Sequence, residues 1–322
     1  MQFVEFSCEL PSKCPHFSMN PSELDIFAIG HCCVDLIYQV DAFLSDDGKT
    51  SSVATDIQAG GPAANTVVAA ARLGARTAFA GQIGRDVFGD LVRYAFETEH
   101  VSFYPQYSTS QSRVASCIVH STSGARQVYA STLPDATADF ALRELIESCK
   151  VLLLDGHEAV NALPAAHAAR SAGKRTVLGL GSFRAASMAF LPLCETVVIS
   201  ENFARSLAQN ADDEWIPRSL ERLKQHGMKY AIVTVGANGS IGFDGENIFR
   251  VPAVHIKAVD TTGAGDAYLG AIAYAHLHDW PLPKMMKFAT FIAAEKCQRL
   301  GGRKGLPTQQ IFSSPRFATF MR

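Results

Sequence analysis

Residues Val259 to Ala271 read VDTTGAGDAYLGA and hold the most concentrated chemistry in the chain. Gly263, Ala264 and Gly265 let the backbone turn tightly and aim free N–H groups outward, while Ala267 to His278 carries the pattern of a helix that begins there. Such a turn cradles an anion. Asp266 stands beside it, where a carboxylate could take the proton of an attacking hydroxyl while phosphoryl charge develops next to it. Taken alone, however, Gly-x-Gly-Asp is more often an ordinary helix start, with the acid favoured by the helix dipole.

Three further stretches could serve the same site. In AGGPAANTVVAAARLG (Ala59 to Gly74), Gly60 and Gly61 permit close approach of a ligand, and Asn65 offers both a donor and an acceptor to a polyol. A capped helix with small packing residues explains that segment as well. In GHCCVDLIYQVD (Gly30 to Asp41), Asp35 can accept from two hydroxyls, with Asp41 as its rival and the surface as the default place for either. In Thr234 to Phe243, Gly236 and Gly239 follow a strand and suit either a nucleotide laid over the backbone or a plain turn.

These residues need a scaffold. Asp25 to Gly30, Thr77 to Gly81, Val151 to Asp155, Thr176 to Leu180, Thr196 to Ser200 and Tyr230 to Val235 are short apolar runs that read as buried strands. Pro62 to Leu73, Ala162 to Ala172 and Ser219 to His226 have the pattern and length of crossover helices. The alternation predicts an α/β fold in which helices cover a parallel sheet. Ile37 to Gln58 and Arg113 to Leu133 are polar and β-prone, with a hairpin around Ser123-Gly124, and are expected to pair as a small separate sheet that could act as a lid. Residues 1–22 show neither period and read as an irregular extension ahead of a domain spanning 23–322.

A net charge of −2 and 48% hydrophobic residues point away from nucleic acid and toward small-molecule partners. The eight cysteines have no zinc-site spacing and read as reduced thiols. No stretch has the length of a membrane span or the pattern of a secretory signal, so a cytoplasmic location is expected. Neither GxxxxGK[ST] nor a GxGxxG after a strand is present, which excludes a P-loop and removes the dinucleotide fingerprint.

In order and separation the four segments resemble the ribokinase-like PfkB carbohydrate kinases, with DTTGAGD matching the family's C-terminal signature over a resemblance that runs from about Asp25 to Pro307. The resemblance implies a Rossmann-like, mostly parallel sheet flanked by helices, with a β-lid of about residues 37–58 and 113–133 that covers the sugar and supports a homodimer. It implies ATP-dependent transfer of the γ-phosphoryl group to a sugar hydroxyl, with Asp266 as base and Gly263, Ala264 and Gly265 as anion hole. Asp35, Gly60, Gly61 and Asn65 would meet the sugar, and Thr234, Gly236, Gly239, Thr261 and Thr262 the nucleotide. Members often bind a monovalent cation such as K+ beside the anion hole, and Asp260 and Thr262 stand at matching positions. Many also use Asn-x-x-Glu to organise Mg2+ and its waters. Here that stretch is Ser200-Glu201-Asn202-Phe203, which leaves Glu201 as the candidate acid.

For the acceptor, Lys49 and Arg113 match positions that bind the anionic end of phosphorylated or sulfonated ketoses in some members, and His157 follows a strand. Solvated lid charges and a loop histidine are the plainer account of the three. Lys296 to Pro307 is similar to the corresponding stretch of the sulfofructose kinase branch, whereas Ala130 and His157 replace polar residues used there. The expectation is a ketose or related sugar phosphorylated on a terminal CH2OH. A nucleoside or vitamin kinase is the alternative, with Tyr38 and Phe43 as the aromatic residues near Asp35; so is a regulator that binds sugar without turnover.

Overall fold

The computed structural model describes residues 23–131, 142–209 and 214–322, so the expected N-terminal extension and the end of the second lid stretch lie outside the described residues. Strand β1 (Ile26–Ile29) is followed by β2 (Cys33–Val40), β3 (Ala54–Gly60), helix α1 (Pro62–Arg72), β4 (Thr77–Ile83), α2 (Val87–Thr98) and β5 (Ser102–Tyr107). Next come β6 (Val114–His120), β7 (Arg126–Ala130), α3 (Arg143–Ser148), β8 (Val151–Leu154), α4 (Ala159–Ser171), β9 (Arg175–Leu180) and β10 (Thr196–Ser200). The remainder is α5 (Glu201–Ala208), α6 (Trp215–Gln225), β11 (Tyr230–Thr234), β12 (Ser240–Phe243), β13 (Ile248–Val251), α7 (Ala264–His276), α8 (Leu282–Lys296) and α9 (Pro315–Met321).

The nine-stranded main sheet has the order β13-β12-β11-β10-β9-β8-β1-β4-β5. From β11 to β5 every neighbouring pair is parallel, and β12 and β13 extend it antiparallel. All six apolar runs expected to be buried strands lie in this sheet. Alternate residues of β1 serve opposite faces: Ile26 and Ala28 join the core under α1, α7 and α8, while Phe27 and Ile29 join the core under α4, α5 and α6. Strand β5 was not anticipated. Its sequence SFYPQY lacks a clean apolar pattern and contains a proline, which a sheet tolerates at its edge, where β5 lies.

The second sheet has the order β3-β2-β6-β7, with β2 and β6 parallel and the flanking pairs antiparallel. It begins at Cys33 and runs on through Gly60, earlier and later than expected, so Asp35 and Gly60 are strand residues; across β2 and β3, Cys33 pairs with Gly60 and Asp35 with Gln58. The Ser123-Gly124 turn joins β6 to β7 as expected, with Gly124 at φ 67°.

Candidate active site

Chain order reverses at β1, because β4 and β5 build outward on one side and β8 to β11 on the other. Open α/β sheets bind ligands at the carboxyl ends of strands at such a switch point. A cavity of about 300 Å³ opens there, lined by Asp155, Gly181, Arg184, Ser200, Thr234 and Asp266 among others. A second cavity of about 360 Å³ is lined by Thr234, Gly236, Gly239, Thr261, Ala264 and Gly265, with apolar walls from Ala253 to Ile256, Ala293 and Ala294. Thr234 and Gly265 line both cavities, so the two meet at the start of α7.

Helix α7 starts at Ala264, three residues before the expected Ala267, with Gly263 as N-cap at φ 76°. A Cβ on Gly263 would stand 2.8 Å from the carbonyl oxygen of Gly302, so both the turn and the neighbouring loop require glycine. The three-residue cradle is therefore part of a helical first turn. Ala264 N–H donates to the Thr261 carbonyl at 3.1 Å, whereas Gly265 and Asp266 supply first-turn N–H groups with no helical carbonyl behind them.

Asp266 is held from the side by α1. Its Oδ2 accepts from Asn65 Nδ2 at 2.9 Å, and Asn65 Oδ1 accepts from Arg303 Nε at 2.9 Å. Buried alanines on α1 and α7, such as Ala63, Ala64, Ala267 and Ala271, line the core between the helices and permit the approach. Burial pushes the Asp266 carboxyl up to about 6, the charges of Asp155 and Asp35 act in the same direction, and the Asn65 bond and Arg126 oppose them. Arg303 was not anticipated. It is buried, and its terminal nitrogens have no hydrogen-bond partner among the described residues.

On the small sheet, burial raises the Asp35 carboxyl, and Cys33 Sγ donates to its Oδ1 at 3.3 Å. Gly60 is explained here: a Cβ at that position would lie 2.0 Å from Asp35 Oδ2, so glycine makes room for the acid. Arg126, an exposed residue of β7, donates from Nη1 to Thr262 Oγ1 at 3.1 Å and so ties the small sheet to the anion turn. Gly61 caps α1 at φ 104°.

Asp155 organises the floor of the acidic cavity. Its Oδ2 accepts from the N–H of His31 at 2.9 Å and of Ala63 at 3.1 Å, and its Oδ1 from the N–H of His157 at 2.9 Å. Arg184 Nη1 lies 2.7 Å from His157 Nδ1. Burial drives the His31 imidazole down to about 3 and lowers His157 as well, so both are neutral at neutral pH. Asp155 and Arg184 were missed. A polar residue ending a buried parallel strand was the available signal for the first, and the loop after β9 for the second.

Other expected residues lie elsewhere. Arg113 is buried, with Nη1 2.6 Å from Glu158 Oε1 and Nη2 donating to Gln82 Oε1 at 2.9 Å, so its guanidinium is held by internal partners. Lys49 is exposed in the loop between β2 and β3. Glu201 pairs with Arg205 at 2.7 Å beside Trp215, outside the cavity that contains Asp266, and Phe203 is buried against Phe183. His157 does line the acidic cavity.

The family profile for pfkB family carbohydrate kinases matches residues 23–309. The chain is similar to a deoxyribokinase of Salmonella typhi, 26% identical over 307 residues that cover 90% of this chain and 98% of the relative. It is 28% identical to a ribokinase of Mus musculus over 88% of this chain and 91% of that protein. The structure of Arabidopsis thaliana ribokinase complexed with ribose and ATP superposes with a TM-score of 0.80 at 20% identity, covering 93% of this chain and 99% of that one. With its ribokinase-like sheet and a family match across nearly all described residues, the chain belongs to the pfkB family of carbohydrate kinases.

Proposed function

We propose that the protein transfers the γ-phosphoryl group of ATP to a primary hydroxyl of a ketose or related sugar, with Asp266 as general base. The observation that carries this reading is the junction at Gly265 and Thr234, where the largely apolar cavity and the acidic one share a wall. The adenosine end of ATP fits the cavity between Gly236 and Ala293, and the acceptor fits between Asp35, Asn65 and Asp266. Asp266 accepts the hydroxyl proton as the oxygen bonds to the γ-phosphorus and the bond to the β-phosphate oxygen breaks. The Gly265 and Asp266 N–H groups stabilise the transferred charge.

Magnesium enters with the nucleotide. The position expected to organise it holds the buried Phe203, so the chain's own residues do not fit a carboxylate-held ion there. An anionic acceptor end would meet Arg184 and His157 in the acidic cavity, while Arg113 is committed to Glu158. Ribose and deoxyribose are the sugars named for the relatives, and pentoses join ketoses in the acceptor range. Exposed Tyr38, Ile57, Val128 and Tyr129 on the small sheet favour a homodimer through it. The test is acceptor-stimulated ATP consumption over a panel of pentoses, ketoses, their phosphates and sulfonates, and nucleosides. No stimulation by any sugar overturns the reading, and stimulation by nucleosides alone supports a nucleoside kinase.

A further inference from the structure

Lys296 is the last residue of α8, a place where a lysine normally extends its ammonium into water beside the helix carbonyls. Here the side chain is 0% exposed and ranks among the largest fully buried in the chain. Its Nζ donates to the main-chain carbonyl of Asp260 at 3.0 Å. A buried ammonium is costly without a counter-charge, and Asp260 supplies one. Hydrogen bonds from Thr262 N–H at 2.8 Å and Gly301 N–H at 2.7 Å, with the Lys296 charge, hold the Asp260 carboxyl below the usual carboxylate range despite its burial. The ammonium therefore sits directly behind the turn whose front is the anion cradle.

The geometry has a consequence for that cradle. In a trans peptide the carbonyl and the following N–H point in opposite directions, so fixing the Asp260 carbonyl on Lys296 turns the Thr261 N–H away from the ammonium. Thr261 lines the cavity proposed for the nucleotide. A metal cation coordinated at Asp260 would exert the same pull on this peptide. Both Asp260 carboxylate oxygens already accept N–H groups and its carbonyl binds an ammonium, so the donor set fits an internal cation better than a second, added one.

We infer that Lys296 is the resident cation of the anion cradle, a positioning residue that makes the enzyme independent of monovalent metal ions. This rests on the phosphoryl-transfer reading for its catalytic consequence, and on the Lys296–Asp260 contact alone for its structural one. The test compares potassium, sodium and tetramethylammonium chlorides at equal ionic strength, reading both acceptor-stimulated ATP use and thermal melting. Wild type is expected to be indifferent to the cation in both. Lys296→Met is expected to lose turnover by about tenfold or more in tetramethylammonium, and to regain turnover and melting temperature specifically in potassium. Activation of wild type by potassium of about tenfold, or a folded Lys296→Met that stays active and indifferent to potassium, overturns the inference. If Lys296→Met does not fold, Lys296→Gln takes its place in the melting series and the wild-type comparison decides. The melting readout needs no acceptor, so failure of the kinase reading would be seen separately.

Discussion

The Asn65 side-chain amide donates to Asp266 Oδ2 at 2.9 Å, joining residues 201 positions apart, and its other end is fixed by Arg303 at 2.9 Å. Because Arg303 Nε can only donate, Asn65 Oδ1 must face it and the NH₂ must face the acid. The orientation of the amide, and with it the protonation of Asp266, depends on a guanidinium that lines neither cavity.

Only the carboxylate form of Asp266 can take a proton, so kcat/KM is expected to fall as pH drops through about 6. The Asn65 hydrogen bond favours the charged form. Asn65→Ala and Arg303→Met should therefore both shift the acid limb to higher pH, whereas a merely structural loss would scale the profile without moving it. Steady-state pH profiles of the three proteins decide this.

Asp266→Asn should lower turnover on the order of 10²-fold to 10⁴-fold. The folded-state carboxyl sits above its ordinary value, so its contribution to stability is present at low pH and lost as pH rises through about 6. Above that pH the variant should be as stable as wild type or more so, by about 1 to 3 kcal/mol. Loss of activity together with clear destabilisation would count against the assignment.

Arg113 and Glu158 form a buried pair at 2.6 Å, and removing either partner strands a charge. Arg113→Met or Glu158→Gln should cost about 3–5 kcal/mol, and Arg113→Met combined with Glu158→Gln less than the sum of the two. The KM for a charged acceptor should not change selectively. Denaturant titration of the cycle, beside KM for a neutral and an anionic sugar, separates this structural role from substrate binding.

Arg184 stands in the acidic cavity with its guanidinium on His157. Arg184→Met should raise KM for an anionic acceptor by about tenfold or more while a neutral one changes little, as expected for loss of a charge-assisted hydrogen bond. Equal effects on both would remove Arg184 from acceptor recognition.

The sheet was legible because its buried strands are continuous apolar runs, and β1, β4, β8, β9, β10 and β11 fall on the expected segments. Edge strand β5 was not, since an edge relaxes the pattern that identifies strands. In the site, Asp266 and Asn65 were found through glycine-rich neighbours that mark helix starts. Asp155, Arg184, Arg303 and Lys296 were missed because their roles arise from what the fold places beside them. Arg113 shows the converse: a positive charge in a lid stretch says nothing about which way the side chain turns, and here Glu158 and Gln82 draw it inward.

Strand β1 is the first described strand in the chain, yet it occupies the interior of the main sheet, hydrogen-bonded to β4 on one side and β8 on the other. During synthesis it must wait for partners whose registers begin at Thr77 and Val151, and α7, which completes the cleft, emerges later still. Assembly is thus dominated by long-range pairings that close slowly. A nascent or truncated chain lacking α7 and α8 would expose the apolar face of its half-built sheet, making it a client for chaperones before it is ever a catalyst.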